Sequence, residues 1–252
     1  MTGDPPPPLL PISPLAATAG FRLSYPMPSW TDAVDRRITL KDDVRRRDDV
    51  LGAVSHGLGF LAALTAAVLL VIQARSASSP GRAAAAAAIY GLSMCLVFGV
   101  STAYHALRPS TAKRILRLLD HSSIYILIAG TYTPYAMAMD GAASRNLLLA
   151  VWSLGVLGLV LNIVLWDRFK VLHIAVYLIM GWLVVFFWRP LLDSAPAEQI
   201  RWMLAGGLAY TLGVVFYAAR RLPLHHVVWH LFVIAGAAGL HMGISLYALE
   251  RI

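Results

Sequence analysis

Long apolar runs separated by short polar or charged stretches set the pattern of this chain beyond residue 50. Seven of them approach or exceed the roughly 20 residues that a helix needs to cross a bilayer. They cover residues 50–74, 83–107, 118–139, 147–166, 171–188, 202–219 and 224–249. Only AspArgPheLys at 167–170 separates the fourth run from the fifth. Those charges predict a turn there, one long fused helix being the competing reading. No internal repeat is visible, which weighs against an inverted-repeat transporter.

The segments ahead of the first run read differently. Residues 1–30 hold Pro5 to Pro8 and further prolines at 11, 14, 26 and 28, with no hydrophobic period, and predict a disordered tail. Prolines break its apolar residues and it lacks a basic start, so it does not read as a secretory signal. Residues 31–49 are charged and predict an interfacial helix or arm. The expected architecture is therefore an all-α membrane protein, with one seven-helix domain over residues 50–252.

Composition agrees with the pattern. Apolar residues make up 58% of the 252 and charged ones 13%, and the mean hydropathy is +0.66, values that suit a bilayer and not water. The lone Cys95 lies inside an apolar run, so it forms no intrachain disulfide and reads as a small core residue. Charge adds an orientation. With the runs alternating across the membrane, fourteen Lys and Arg fall on the side of the N-terminus, in the groups 36–47, 108–117, 168–170 and 220–221. Six fall on the other side: Arg75, Arg82, Arg145, Arg189, Arg201 and Arg251. The positive-inside rule then places the N-terminus in the cytoplasm and the C-terminus outside. Anionic headgroups at the cytoplasmic face are the natural partners of these cations, accounting for the net charge of +8. Nucleic acid is not expected, because the basic residues are split among four segments without interleaved aromatics. The abundant alanine and arginine hint at a GC-rich bacterial genome, for which the plasma membrane is the expected location.

Candidate chemistry lies in the histidines, since ionisable groups inside a membrane are costly and usually functional. His226 and His230 stand four residues apart and share one helix face. His105 ends the second run, one turn after Ser101. In the predicted topology Ser101 and His105 occupy the last cytoplasmic turns of the second run, Asp120 opens the third, and His226 and His230 lie in the first two turns of the seventh. These residues meet in the inner leaflet, where a three-histidine metal site is the leading reading. His56, His121, His173 and His225 share that leaflet, however, and spacing alone does not choose among the seven. His241 lies about 16 Å above His230, at 1.5 Å of rise per residue.

Three ordered motifs extend the reading. SerThrAlaTyrHis at 101–105, AspHisSerSerIleTyrIleLeuIleAlaGlyThrTyrThrPro at 120–134 and HisHisValValTrpHisLeuPheValIleAlaGly at 225–236 resemble the bacterial hemolysin III proteins. That group belongs with the progestin and adipoQ receptors and is more distantly similar to alkaline ceramidases. The resemblance covers about residues 48–250. It implies a seven-helix bundle holding zinc near the cytoplasmic side, with His105, His226 and His230 as ligands and Asp120 and Ser101 close to a zinc-bound water. One departure falls in the first run. Relatives typically carry two glutamates and then an asparagine four residues before the histidine, whereas this chain has Asp48, Asp49 and Gly52 ahead of His56. The acidic character survives and the amide is lost. Ala237 stands where a serine is common.

Three imidazoles leave a fourth tetrahedral position open, the pattern of a catalytic zinc site. Asp120 then serves as general base or orienting acceptor, and Ser101 as a hydrogen-bond donor to a ligand or developing oxyanion. The reaction this suggests is hydrolysis of a membrane lipid amide or ester reached laterally from the bilayer. A membrane-homeostasis or receptor-like protein with structural zinc is the second class, and a cytolytic or pore-forming hemolysin the third. Each residue also has a plainer role. The remaining five histidines can be interhelical hydrogen-bond partners, Asp120 a helix cap, and Ser101 a donor to the carbonyl four residues back. The glycine steps Gly155 to Gly158, Gly206 with Gly207 and Gly239 to Gly243 read as helix contacts, Pro134 as a kink. Trp152, Trp166, Trp182, Trp188, Trp202 and Trp229 read as interface anchors.

Overall fold

A computed structural model describes residues 29–38, 40, 46–166, 168 and 170–252. The proline-rich stretch expected to be disordered lies outside the described residues up to position 28, as do Lys41 and Arg45 of the arm and Asp167 and Phe169 of the fourth connection. All regular structure among the described residues is helical: α1 Trp30–Arg37, α2 Arg46–Gln73, α3 Pro80–Ala106, α4 Thr111–Met137, α5 Gly141–Val164, α6 Lys170–Gly181, α7 Trp188–Ser194, α8 Ala197–Ala218 and α9 His225–Gly243. α6 and α7 are joined by a 3₁₀ segment, Leu183–Phe187, and α9 continues into a π-helical turn, Ile244–Ala248.

Local chemistry sets these ends. Ser29 and Asp32 form a reciprocal capping box on α1. Pro80 occupies the first turn of α3, where no amide hydrogen is needed. The Ser110 hydroxyl accepts from the Lys113 amide at 3.2 Å and starts α4. α1 docks on the helix ends it passes. Arg37 donates to the Ile163 and Val164 carbonyls at 2.7 and 2.9 Å, satisfying two acceptors left open at the end of α5. Arg114 of α4 binds the Ile38 carbonyl at 2.7 Å and the Asp35 carboxylate at 3.1 Å. The predicted arm thus begins as a helix tied to α4 and α5. Asp48 and Asp49 belong instead to the first turn of α2.

Among the described residues, six helical segments are long and apolar enough to cross a membrane: Arg46–Ser76, Pro80–Ala106, Gly141–Val164, Val171–Ser194, Ala197–Ala218 and His225–Arg251. Their outward faces carry exposed Leu58, Val68, Leu92, Leu149, Val160 and Leu212, a surface that suits acyl chains. Of the seven predicted runs, 118–139 is the one whose helix falls short of that apolar character. α4 is equally long but begins seven residues before the expected start and carries Lys113, Arg114, Arg117 and Asp120. It is also the most enclosed helix, with fourteen buried residues from Lys113 to Ala136 packed chiefly between α3 and α5. A helix sheathed by protein escapes the demand that lipid places on its neighbours. Asn162 of α5 donates to the Ser122 hydroxyl at 2.9 Å, and the Trp152 indole to the Thr133 hydroxyl at 3.2 Å.

The predicted glycine contacts are present at α4/α5 and α8/α9, except at Gly207, where a Cβ would meet nothing within 4 Å. Gly155 faces Ala129 and the Tyr125 carbonyl, and Gly158 faces the Tyr125 ring. Gly206 lies directly against the backbone of Gly236 and Leu240. This close approach fixes how α9 sits in the bundle, and with it the position of His226 and His230.

Candidate metal centre

Two helices bring three histidines to one point. His105 closes α3, and His226 and His230 occupy the first two turns of α9. One ligand atom from each lies within 4.8 Å of the others, so the three can hold a metal ion. Ring centroids are 4.6 Å apart for His226 and His230, 4.9 Å for His105 and His230 and 5.3 Å for His105 and His226. α9 enters this point through Leu224, whose φ of 58° is left-handed. A side chain in that conformation costs about 1–2 kcal/mol.

The rings are oriented from behind. His105 Nδ1 lies 2.9 Å from Asp49 Oδ1, and Lys113 Nζ lies 2.6 Å from Asp49 Oδ2. The same ammonium donates to the Leu107 carbonyl just beyond α3, at 2.9 Å. With Nδ1 so engaged, His105 Nε2 is buried and has no hydrogen-bond partner. Carboxylate behind, bare nitrogen ahead is the arrangement that orients an imidazole toward a metal. His230 Nδ1 is 3.3 Å from the Ser55 hydroxyl, which in turn donates to the Gly52 carbonyl at 3.0 Å. Gly52, where the family resemblance led to the expectation of an asparagine, lies under His105: a Cβ there would come within 3.0 Å of the imidazole. The departure noted in the sequence thus removes a side chain that would crowd this ring.

His56 joins the cluster in an unexpected way. Its ring stacks on His230 at 3.7 Å and meets Phe98 edge-on, and both its nitrogens are buried without partners. His225 meets the His226 ring edge-on at 6.3 Å, while His173, His121 and His241 sit apart. His173 Nδ1 pairs with the Tyr125 hydroxyl at 3.0 Å and His121 Nδ1 with the Arg117 carbonyl at 2.9 Å. His241 stacks loosely on Tyr90.

Ser101 and Asp120 line one cavity of about 490 Å³ together with His226, His230 and His56. Ser101 is buried and its hydroxyl has no partner, so the back-bond to α3 is not made; Thr102 makes one, to the Phe98 carbonyl at 2.6 Å. Asp120 sits nine residues into α4, whose cap is Ser110, and so does not cap the helix. Its carboxylate is 3.8 Å from His121 Nδ1. Sequence reasoning noted Asp49 only as surviving acidic character ahead of His56, and did not single out Lys113 or Ser55. The available signal was the spacing of Asp49, seven residues before His56, which puts both on one face of α2.

A family profile described as "Haemolysin-III related" matches residues 44–242. The chain belongs to the hemolysin III family. It is 36% identical to the Hemolysin-3 homolog of Bacillus subtilis over 205 residues, covering 81% of this chain and 96% of that protein. Over 206 residues it is 34% identical to Hemolysin-3 of Bacillus cereus, covering 81% and 93%. The human Monocyte to macrophage differentiation factor is 28% identical over 157 residues, 60% of this chain and 65% of that protein. These similarities place the hemolysin III protein within the progestin and adipoQ receptor superfamily, as its motifs implied. It is a multi-pass membrane protein with a three-histidine group able to hold a metal.

Proposed function

We propose that this hemolysin III protein is a seven-helix hydrolase of membrane lipid amides or esters, with zinc held by His105, His226 and His230. α4 is the additional span, the N-terminus faces the cytoplasm, and the plasma membrane is the location. The observation that carries the reading is the His105 imidazole, pinned by Asp49 on one side and bare on the other, inside a trio of converging histidines. Three neutral nitrogens suit zinc, while copper, nickel or iron would also accept them. When bound, zinc supplies Lewis acidity and an acidified water.

The chain's own residues do the rest. Asp120 accepts a proton within the cavity, and the unpartnered Ser101 hydroxyl donates to the substrate carbonyl oxygen. Apolar lining from Val97, Leu127, Leu178, Val184 and Met203 accepts acyl chains and excludes water. Asp49 holds the His105 ring, and Lys113 holds Asp49.

Purified protein should contain about one zinc per chain, as three imidazoles with an open fourth position imply. It should also release fatty acid from a fluorescent lipid amide or ester. Asp120→Asn is expected to keep the metal and to slow turnover about 10²-fold or more, as loss of a proton-transfer group does. Metal retained without turnover of any lipid amide or ester would make the zinc structural and favour the homeostasis or receptor-like role. No stoichiometric metal would refute the reading outright. Asp49→Asn is expected to weaken zinc binding about 10–100-fold, the usual effect of losing a carboxylate behind a ligand. Competition with a chromogenic chelator measures this, and unchanged affinity would remove Asp49 from the site.

A further inference from the structure

In the same cavity, two buried ring nitrogens have no hydrogen-bond partner among the described residues. Trp166 and His173 are each 8% exposed, both line the cavity, and neither Trp166 Nε1 nor His173 Nε2 has a hydrogen-bond partner. An indole nitrogen can only donate. The Tyr125 hydroxyl meets His173 Nδ1 at 3.0 Å, and in the tautomer where the hydroxyl donates, the proton of the neutral ring sits on Nε2 and makes this nitrogen a donor as well. Trp166 packs edge-on against His121 at 5.4 Å, and His173 pairs with Tyr125, one helical turn further along α4. Trp166, expected from the sequence to be an interface anchor, is instead turned inward.

Charge points the same way. The Arg117 guanidinium lies over the Trp166 ring at 5.4 Å. Among the described residues, Arg117, Arg220 and Asp120 are the charged side chains that line the cavity. Guanidinium groups in the lining, together with an indole N–H that can only donate, favour a ligand whose polar end is negative and accepts. Leaving a buried donor unsatisfied costs about 1–3 kcal/mol, so these groups favour such an occupant over an empty apolar space.

We propose that Trp166, His173 and Arg117 form a headgroup subsite for a phosphate-bearing lipid, whose acyl chains run into the apolar part of the cavity toward Leu178, Leu191 and Met203. Three separate donor groups suit the several oxygens of a phosphate better than the two of a carboxylate. The subsite stands apart from the histidine trio and does not require a metal there. If the hydrolase reading holds, it narrows the substrates to lipids that carry phosphate.

The test is native mass spectrometry of the full chain in detergent, titrated in parallel with phosphatidate, phosphatidylcholine, oleate and inorganic phosphate. Wild type is expected to retain one phosphatidate, with oleate bound more weakly and inorganic phosphate failing to displace it. Trp166→Phe and His173→Phe should each lower phosphatidate retention about tenfold. Tyr210→Phe removes another partnerless buried hydroxyl from the same cavity, above the subsite, and should leave retention unchanged. The His226→Ala, His230→Ala double variant should still retain phosphatidate, which separates this site from the metal reading. Zinc content and a single elution peak confirm that the Phe variants fold. Equal retention in folded Phe variants, or binding that does not distinguish phosphatidate from oleate, overturns the proposal. Displacement by inorganic phosphate would reassign the site to the free ion and overturn its lipid part.

Discussion

Replacing His226 and His230 together by alanine is expected to lower metal content from about one ion per chain to below about a tenth, since a tetrahedral site needs at least three protein ligands. The two residues contribute two of the three converging nitrogens, and His105 alone offers a single bond. Helix α9 itself should survive, because its packing on α8 runs through Trp229, Phe232, Gly236 and Leu240 and not through the two histidines. The accompanying signature is thermal. A ligand that binds only the folded state stabilises it by about 2.7 kcal/mol at a hundred times its dissociation constant. Added zinc should therefore raise the melting temperature of chelator-stripped wild type and leave that of the double variant unmoved. Mass spectrometry of metals together with a melt, with and without zinc, reads both effects. A double variant that keeps its metal would place the ion elsewhere and refute the trio.

The second large effect is expected at Gly206, far from the chemistry. A methyl group there would meet the Gly236 carbonyl oxygen at 2.8 Å and the Leu240 nitrogen at 2.9 Å. Both are backbone atoms, which cannot rotate aside as a side chain can. Gly206→Val must push α8 from α9. Overpacking of this kind typically costs about 1–3 kcal/mol, a large part of the roughly 5–15 kcal/mol that holds a domain together. Because α9 carries His226 and His230, metal affinity should fall with stability. The adjacent Gly207 is the control, since a methyl group there meets nothing within 4 Å. Gly207→Ala should be neutral or raise stability by up to about 1 kcal/mol through better helix propensity. Thermal melts of the two variants in one detergent test the contrast, and equal melting points would show that the α8/α9 contact does not limit stability.

How far the chain could be read without coordinates depended on whether a residue's role is written locally. Apolar length is local, and six of the predicted runs have counterparts among the candidate spans within a few residues at most ends. The separation of α5 from α6 followed from the charges between them. The third run was misplaced at its start because Lys113, Arg114 and Arg117 read as loop, when two of them are buried within helix. Their burial is made possible by groups distant in sequence: Asp49 for Lys113, and Trp166 beside Arg117. The histidine trio was legible through the paired spacing on α9 and the family motifs. Asp49 was not, since it stands 56 residues from His105 and reads as the tail of a charged arm. The stacking of His56 on His230 was equally hidden, because no spacing rule links α2 to α9.

The enclosure of α4 bears on how such a chain is made. Translocation machinery judges each emerging segment largely by its affinity for lipid, and α4 offers lipid little: its apolar character is low and fourteen of its residues are taken up by neighbours. On the proposed topology it would enter the bilayer as a passenger, after α3 is in place and while α5 is arriving. A nascent chain cut after Met137 would then leave this segment outside the hydrocarbon, and Asp49 would wait without its lysine. Assembly of the histidine cluster would thus be one of the last steps of biogenesis, so premature metal capture by the growing chain is disfavoured by the order in which its parts arrive.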